Sequence, residues 1–209
     1  MHRHRILALA AAGALAAVPA AAQDMGGHAM HGMYVLPGPS STSTAQRAYA
    51  QRLLTRVKRE AYRWRTRALA RADGYRPGRS TPDIEKHTFH YNNTRRYRDG
   101  HRLDPRRPES LVYRQVTSGH FRLVALMFRI PVTMHPPHPA GGLMRWHVHY
   151  ACEMSDAAMP TADNGPCPDG MRMRTGPTAM VHVWFVDDLT HAFDLMAPSD
   201  DLLHPEPLD

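Results

Sequence analysis

Leu111-Val112-Tyr113-Arg114-Gln115-Val116, the turn signal Thr117-Ser118-Gly119 and the run from Phe121 to Val132 decide the fold. Two stretches rich in β-branched and aromatic residues, joined by a Gly-bearing turn, read as an antiparallel hairpin. Within the second, Leu123-Val124-Ala125-Leu126-Met127-Phe128 is apolar on both faces. Such a strand belongs at the centre of a sheet, with both sides covered.

A cover for one face lies upstream. From 44 to 72, Tyr49, Leu53, Val57, Ala61, Trp64, Ala68 and Ala72 recur every three or four residues and form one apolar stripe. Ser43 or Thr44 can cap the start and Gly74 sits just past the end. Arg47, Arg52, Arg56, Arg59, Arg63 and Arg67 fill the rest of the surface. A basic amphipathic helix can lie on an anionic envelope surface. The plainer reading packs the stripe on a sheet and leaves the arginines solvated.

Downstream, period-two patterns predict strands over 143–150 and 178–187, and a short one within Glu85–Asn93. The economical architecture is α+β: one long N-terminal helix on a mostly antiparallel sheet of four or five strands, which can curl toward a barrel.

The ends read differently. Met1-His2-Arg3-His4-Arg5, an Ala-rich apolar run from Ile6 and small residues at Ala20 and Ala22 have the pattern of a secretory signal peptide over 1–22. That run is too short for a spanning helix, and no later one is long enough, so the chain is not expected to be transmembrane. Residues 23–43 are rich in Gly, Pro, Ser and Thr and read as a loose tail, 44–197 as a single domain, and 198–209 as a loose acidic end. The net charge is +7, with most of the excess between Arg47 and Arg107. Export argues against a nucleic-acid partner and for an anionic envelope component, if the charge has a partner at all. The two cysteines, Cys152 and Cys167, read as a disulfide in a periplasmic or secreted protein. The rival is a pair of thiolate metal ligands.

Histidines carry the chemical signal. In Leu143 to Tyr150, alternation puts His147 and His149 on one strand face, with Trp146, Val148 and Tyr150 on the other. Two imidazoles so placed can tilt onto one metal ion. His182, between Met180 and Trp184 on the face of a later strand, and His90, flanked by Phe89 and Tyr91, are further candidates. Grouped imidazoles repel when protonated, and a bound cation removes that penalty. The plain alternative is a set of buried neutral His residues donating to carbonyls. In the tail, Met25, His28, Met30, His31 and Met33 combine thioethers, which favour Cu(I), with imidazoles, which take either copper ion. They can collect copper, or can simply be solvated, as is expected of His135 and His138 in their Pro-rich loop. No Gly-x-Ser-x-Gly elbow, phosphate loop, His-Glu-x-x-His or dinucleotide fingerprint occurs, and neither cysteine has the following His and Met of a blue-copper site.

Two resemblances bear on this set. Gly141, His147-Val148-His149 and Glu153 resemble the first metal motif of the cupins, which implies His182 as the later His and Glu153 as a carboxylate ligand. The Pro-Gly-His-Asn pattern of the second cupin motif is not reproduced around His182. Phe89-His90-Tyr91-Asn92-Asn93, Pro108-Glu109-Ser110-Leu111-Val112-Tyr113, Arg145-Trp146-His147-Val148-His149 and Met180-Val181-His182-Val183-Trp184 resemble signature blocks of an uncharacterised group of exported bacterial proteins. That likeness implies export and a common site drawn from His90, His147, His149 and His182.

The leading expectation is an exported protein that binds one divalent or cuprous ion, copper ahead of zinc, for sequestration, delivery or tolerance. His147, His149 and His182 would be core ligands, with His90 or Glu153 completing the set. The other expectations are a cupin-like metalloenzyme with an open coordination position and a metal-free periplasmic interaction module.

Overall fold

A computed structural model describes residues 31–78, 88–154, 167 and 171–203. The signal-peptide reading of 1–22 and the residues Met25, His28 and Met30 lie outside the described residues.

The hairpin forms as its sequence requires. Ser110–Thr117 is β4 and His120–Pro131 is β5, joined at Ser118-Gly119, where Gly119 takes φ 81°, a left-handed conformation that glycine adopts without steric cost. The other edge of β5 carries Thr178–Trp184, β8. Leu123 to Phe128 are all buried, so β5 is the covered central strand that its composition indicates. The outer edge of β4 carries β3, Thr88–Asn92, which in turn carries β2, Arg76–Pro77.

Beyond β8 the sheet continues into β6, His147–Met154, and then β1, His31–Val35. A further strand, β7 (Met171–Thr175), pairs with β6 on the side that β8 also occupies. At the junction Gly176 and Pro177 split their partners. The Gly176 N–H donates to the His149 carbonyl at 2.9 Å, while the Pro177 carbonyl accepts from Val132 N–H at 3.0 Å. Among the described residues the path is β1-β6-β8-β5-β4-β3-β2 with β7 alongside β6, eight antiparallel strands in all. The α+β class holds, but four or five strands is too few. The sheet does not close into a barrel, because β1 and β2 remain its two ends. The added strands β1, β2 and β7 are only two to five residues long and are recruited by distant partners.

Helix α1 spans Thr44–Ala61, and a 3-10 turn extends it through Trp64. A reciprocal cap fixes its start: Gln46 N–H donates to Ser43 Oγ at 3.3 Å, and Ser43 N–H donates to Gln46 Oε1 at 2.9 Å. Ala50, Leu53, Leu54, Val57 and Ala61 are buried. The helix expected through residue 72 breaks after Trp64. Thr66 is extended and caps a second helix, α2, Arg67–Ala72. The carbonyl that the break releases at Trp64 accepts a 2.5 Å hydrogen bond from Tyr113 on β4, a tertiary contact that local periodicity does not reveal. Arg67 leaves the solvated set, its guanidinium lying 3.4 Å over the Phe121 ring. No helix among the described residues is long and apolar enough to cross a membrane.

Two boundaries differ from the sequence reading. Residues from 31 onward are part of the fold rather than loose tail, since His31–Val35 is β1. The strand expected from Leu143 starts instead at His147, because Gly141–Leu143 forms a 3-10 turn. Gly141 has φ 59°, and Gly142 N–H donates to the Ser41 carbonyl at 2.8 Å. A Cβ at Gly142 would come within 2.9 Å of the Pro39 carbonyl oxygen, so the 39–41 segment occupies the space beside the turn. Cys152 and Cys167 form a disulfide, as expected of an exported protein and in place of the thiolate alternative. At the C-terminal side, Asp200 pairs with buried Arg114 of β4, which ties the start of the acidic end to the sheet.

Candidate functional site

Strand parity divides the sheet into two faces. Phe89 and Tyr91 of β3 lie on the helix side with Tyr113, and the Tyr91 and Tyr113 rings pack edge to face at 5.1 Å. His90 therefore faces the other way. Directly opposed residues share a face. The rows Asn92–Ser110–Met127–His182 and His90–Val112–Ala125–Trp184 cross from β3 to β8, so His182 stands on the face of His90. His147 is opposite Met180, which adds His147 and His149 to that face.

The four rings meet. Nε2 of His90 and Nε2 of His182 are 3.5 Å apart. His147 stacks on His182 with centroids at 5.3 Å, and His149 lies 5.8 Å from His147. Trp184 stacks on His182 at 4.9 Å. Along the sheet, β3 and β8 are separated by three strand spacings, roughly 14 Å. Rings anchored that far apart touch only because the sheet curls toward this face, a property of the whole sheet rather than of either strand.

Electrostatics keep three of the imidazoles neutral. His182 is held well below the ordinary histidine range, first by burial and then by the neighbouring His147, His90 and His149. Burial brings His147 to about 4 despite its contact with the Arg145 carbonyl. His149 is exposed at the mouth of the group, yet partial desolvation also lowers it. At neutral pH each of these three rings thus has a lone pair to offer.

Nδ1 of His147 lies 3.4 Å from the Arg145 carbonyl oxygen. A carbonyl can only accept, so that contact favours the tautomer with the proton on Nδ1 and leaves Nε2 as a bare acceptor. Nε2 of His147 is fully buried and has no hydrogen-bond partner, and the same is true of Nδ1 of His182. Each such orphan costs about 1–3 kcal/mol. Metal-binding histidines commonly use this tautomer, with the distal nitrogen free for the ion. The 3.5 Å between His90 and His182 is long for a hydrogen bond. It is close to the about 3.4 Å expected between two nitrogens bound to one tetrahedral ion at 2.0–2.1 Å. Among the described residues, no set of three or more His, Cys, Asp or Glu side chains is drawn around one point.

The other candidates stand elsewhere. β6 runs on as a strand to Met154, which carries the Glu153 backbone roughly 20 Å past His147 along the strand. His31 and Met33 stand on β1, in register with Ala151 and His149. His135 is exposed and His138 lies against Gly38, on the connection before β6.

Two ionisable residues at the adjoining parts of β4 and β5 escaped the sequence reading. Arg129 shares the histidine face by parity, opposite Met180, and its guanidinium lies 5.2 Å from the Tyr97 ring. Glu109 is buried and accepts a hydrogen bond from Arg129 N–H at 3.1 Å. Burial pushes its carboxyl up to about 8. The available signal was a charge, Arg129, set between Phe128 and Ile130 in an otherwise apolar strand.

Comparison with family models, with curated proteins and with solved structures finds no match for this chain.

Proposed function

We propose that this protein binds a single transition-metal ion, copper in preference to zinc, and serves in its sequestration, delivery or tolerance in an exported compartment. The carrying observation is the convergence of imidazoles from three strands, with Nε2 of His147 buried among them and without a partner. His90, His147 and His182 are the ligands and His149 guards the mouth. Such a set supplies nitrogen donors of intermediate softness, which suit copper and zinc. An all-imidazole ligand set would need no thiolates, which accords with Cys152 and Cys167 being bonded to each other. The disulfide also accords with an oxidising compartment.

A second reading, a metalloenzyme with an open coordination position, draws on Arg129 and Ser110, which share the histidine face. Polar groups beside an ion can orient an anionic substrate.

The test is elemental analysis and competitive titration of the purified full-length chain. One equivalent of copper or zinc is expected, lost in His147→Ala/His182→Ala while the far-ultraviolet circular dichroism is retained. A folded wild-type protein that takes up neither ion would end this reading.

A further inference from the structure

The histidine face carries a second repeated element: each of three histidines is opposed across the ladder by a methionine. Met33 of β1 is in register with His149, Met180 of β8 with His147, and Met127 of β5 with His182. Directly opposed side chains have Cβ atoms about 4.5–5.5 Å apart, close enough for thioether and imidazole to share an ion. The pairs also form a gradient of enclosure. His149 is exposed and Met33 half-buried; His147 is fully buried beside half-buried Met180; His182 and Met127 are both buried. Ring-to-ring steps along this line are 5.8 Å from His149 to His147 and 5.3 Å from His147 to His182.

Resting on the metal-binding reading above, we propose that these three Met–His pairs form a Cu(I) track, in which Met33 and His149 capture the ion at the sheet's edge and Met180 and Met127 are thioether ligands further in. Thioether sulfur is a soft donor that favours Cu(I) and contributes little to Zn(II). An ion moves along the track by exchanging one thioether–imidazole pair for the next, with no change in its oxidation state. The placement of β1 also brings Met33 of the Met/His-rich stretch opposite His149. Methionines at a sheet face are ordinarily packing residues chosen for their flexibility. Their direct opposition to three successive histidines is what packing alone does not require.

The experiment uses the full chain, with Cu(I) and Zn(II) affinities measured by competition against chromophoric chelators under anaerobic conditions. Met180→Leu, which conserves volume, is expected to weaken Cu(I) binding about tenfold or more and to leave Zn(II) within about twofold. Met33→Leu is expected to slow Cu(I) uptake more than it lowers the final affinity. Selenomethionine-labelled wild-type protein, studied by X-ray absorption at the selenium edge, needs no substitution and is expected to show a copper–selenium contact. Unchanged Cu(I) binding in Met33→Leu/Met127→Leu/Met180→Leu, together with loss in His147→Ala, would overturn the thioether role and leave the metal site standing. The absence of a copper–selenium contact in copper-loaded protein would do the same. Wild-type protein that binds neither Cu(I) nor Zn(II) would overturn both.

Discussion

The two faces of this sheet are made by the same strands and obey opposite rules. Toward the helix, Leu111, Leu126, Phe128, Val181 and Val183 are apolar and at most 1% exposed. The polar atoms that intrude near that side are answered: Tyr113 donates to the Trp64 carbonyl, and Tyr75 to the Pro108 carbonyl at 2.7 Å. On the opposite face the same strands bury His147, His182, Met127 and Trp184, and two ring nitrogens have no answer. Period two lets one strand serve both ends at once. One face supplies burial energy, and the other holds groups whose burial works against stability until something satisfies them.

The largest expected effect sharpens that contrast. Leu126→Ala should cost about 2–5 kcal/mol of unfolding free energy, measured by urea denaturation, through lost contacts and a residual cavity. His182→Leu should be close to neutral in metal-free protein, because it removes an unsatisfied polar ring and keeps a similar apolar volume. If His182→Leu destabilises as much as Leu126→Ala, the imidazole is structural and the division between the faces fails.

A smaller effect separates the two faces by pH. Glu109, buried just before β4, has its folded-state carboxyl pushed up to about 8, well above the about 4.3 of an unfolded chain. The folded state therefore holds a proton that the unfolded state has released. The associated stability is complete below about pH 4 and is lost as pH rises through 8. The slope should be about 1.4 kcal/mol per pH unit near pH 6.5 and fall to about half of that at pH 8, read as urea midpoints at each pH. His147 acts with the reverse sign: held near 4, it takes stability away only as pH falls below about 6.5. Its influence does not overlap the alkaline window. Glu109→Gln should flatten the alkaline slope, and a slope that persists would assign it to other groups.

The smallest expected effect lies at the helix end. Ser43→Ala removes one half of the reciprocal cap with Gln46 and should cost about 1 kcal/mol. Copper affinity should not move, since that cap touches neither the histidines nor the strands that carry them. A coupled loss of metal affinity would mean that the helix side tunes the opposite face.

Some of this architecture was legible in the chain because it is local. Leu123 to Phe128 announce a doubly covered strand, Thr117-Ser118-Gly119 a turn, and Leu53, Val57, Ala61 and Trp64 a buried helical stripe. The break at Thr66 was not legible, because a side chain from β4 stabilises it. Nor was β1: His31–Val35 has no alternation of its own and becomes a strand by pairing with β6. For the site, the shared face of His147 and His149 follows from parity alone. The approach of His90 to His182 depends on how far an entire sheet bends, and no window of residues encodes that. The tail reading grouped His31 and Met33 by residue type alone. Their positions opposite Ala151 and His149 required the register.

β1 has one more consequence. A strand as long as β6 with an open border would present a row of free amides and carbonyls, a template for adding strands from other molecules. The five residues of β1 fill that border and end it with a short rim. A protease that nicked the 36–43 connection and released β1 would therefore do more than remove Met33. It would expose a sticky border, and the clipped protein should be found in dimers and larger aggregates.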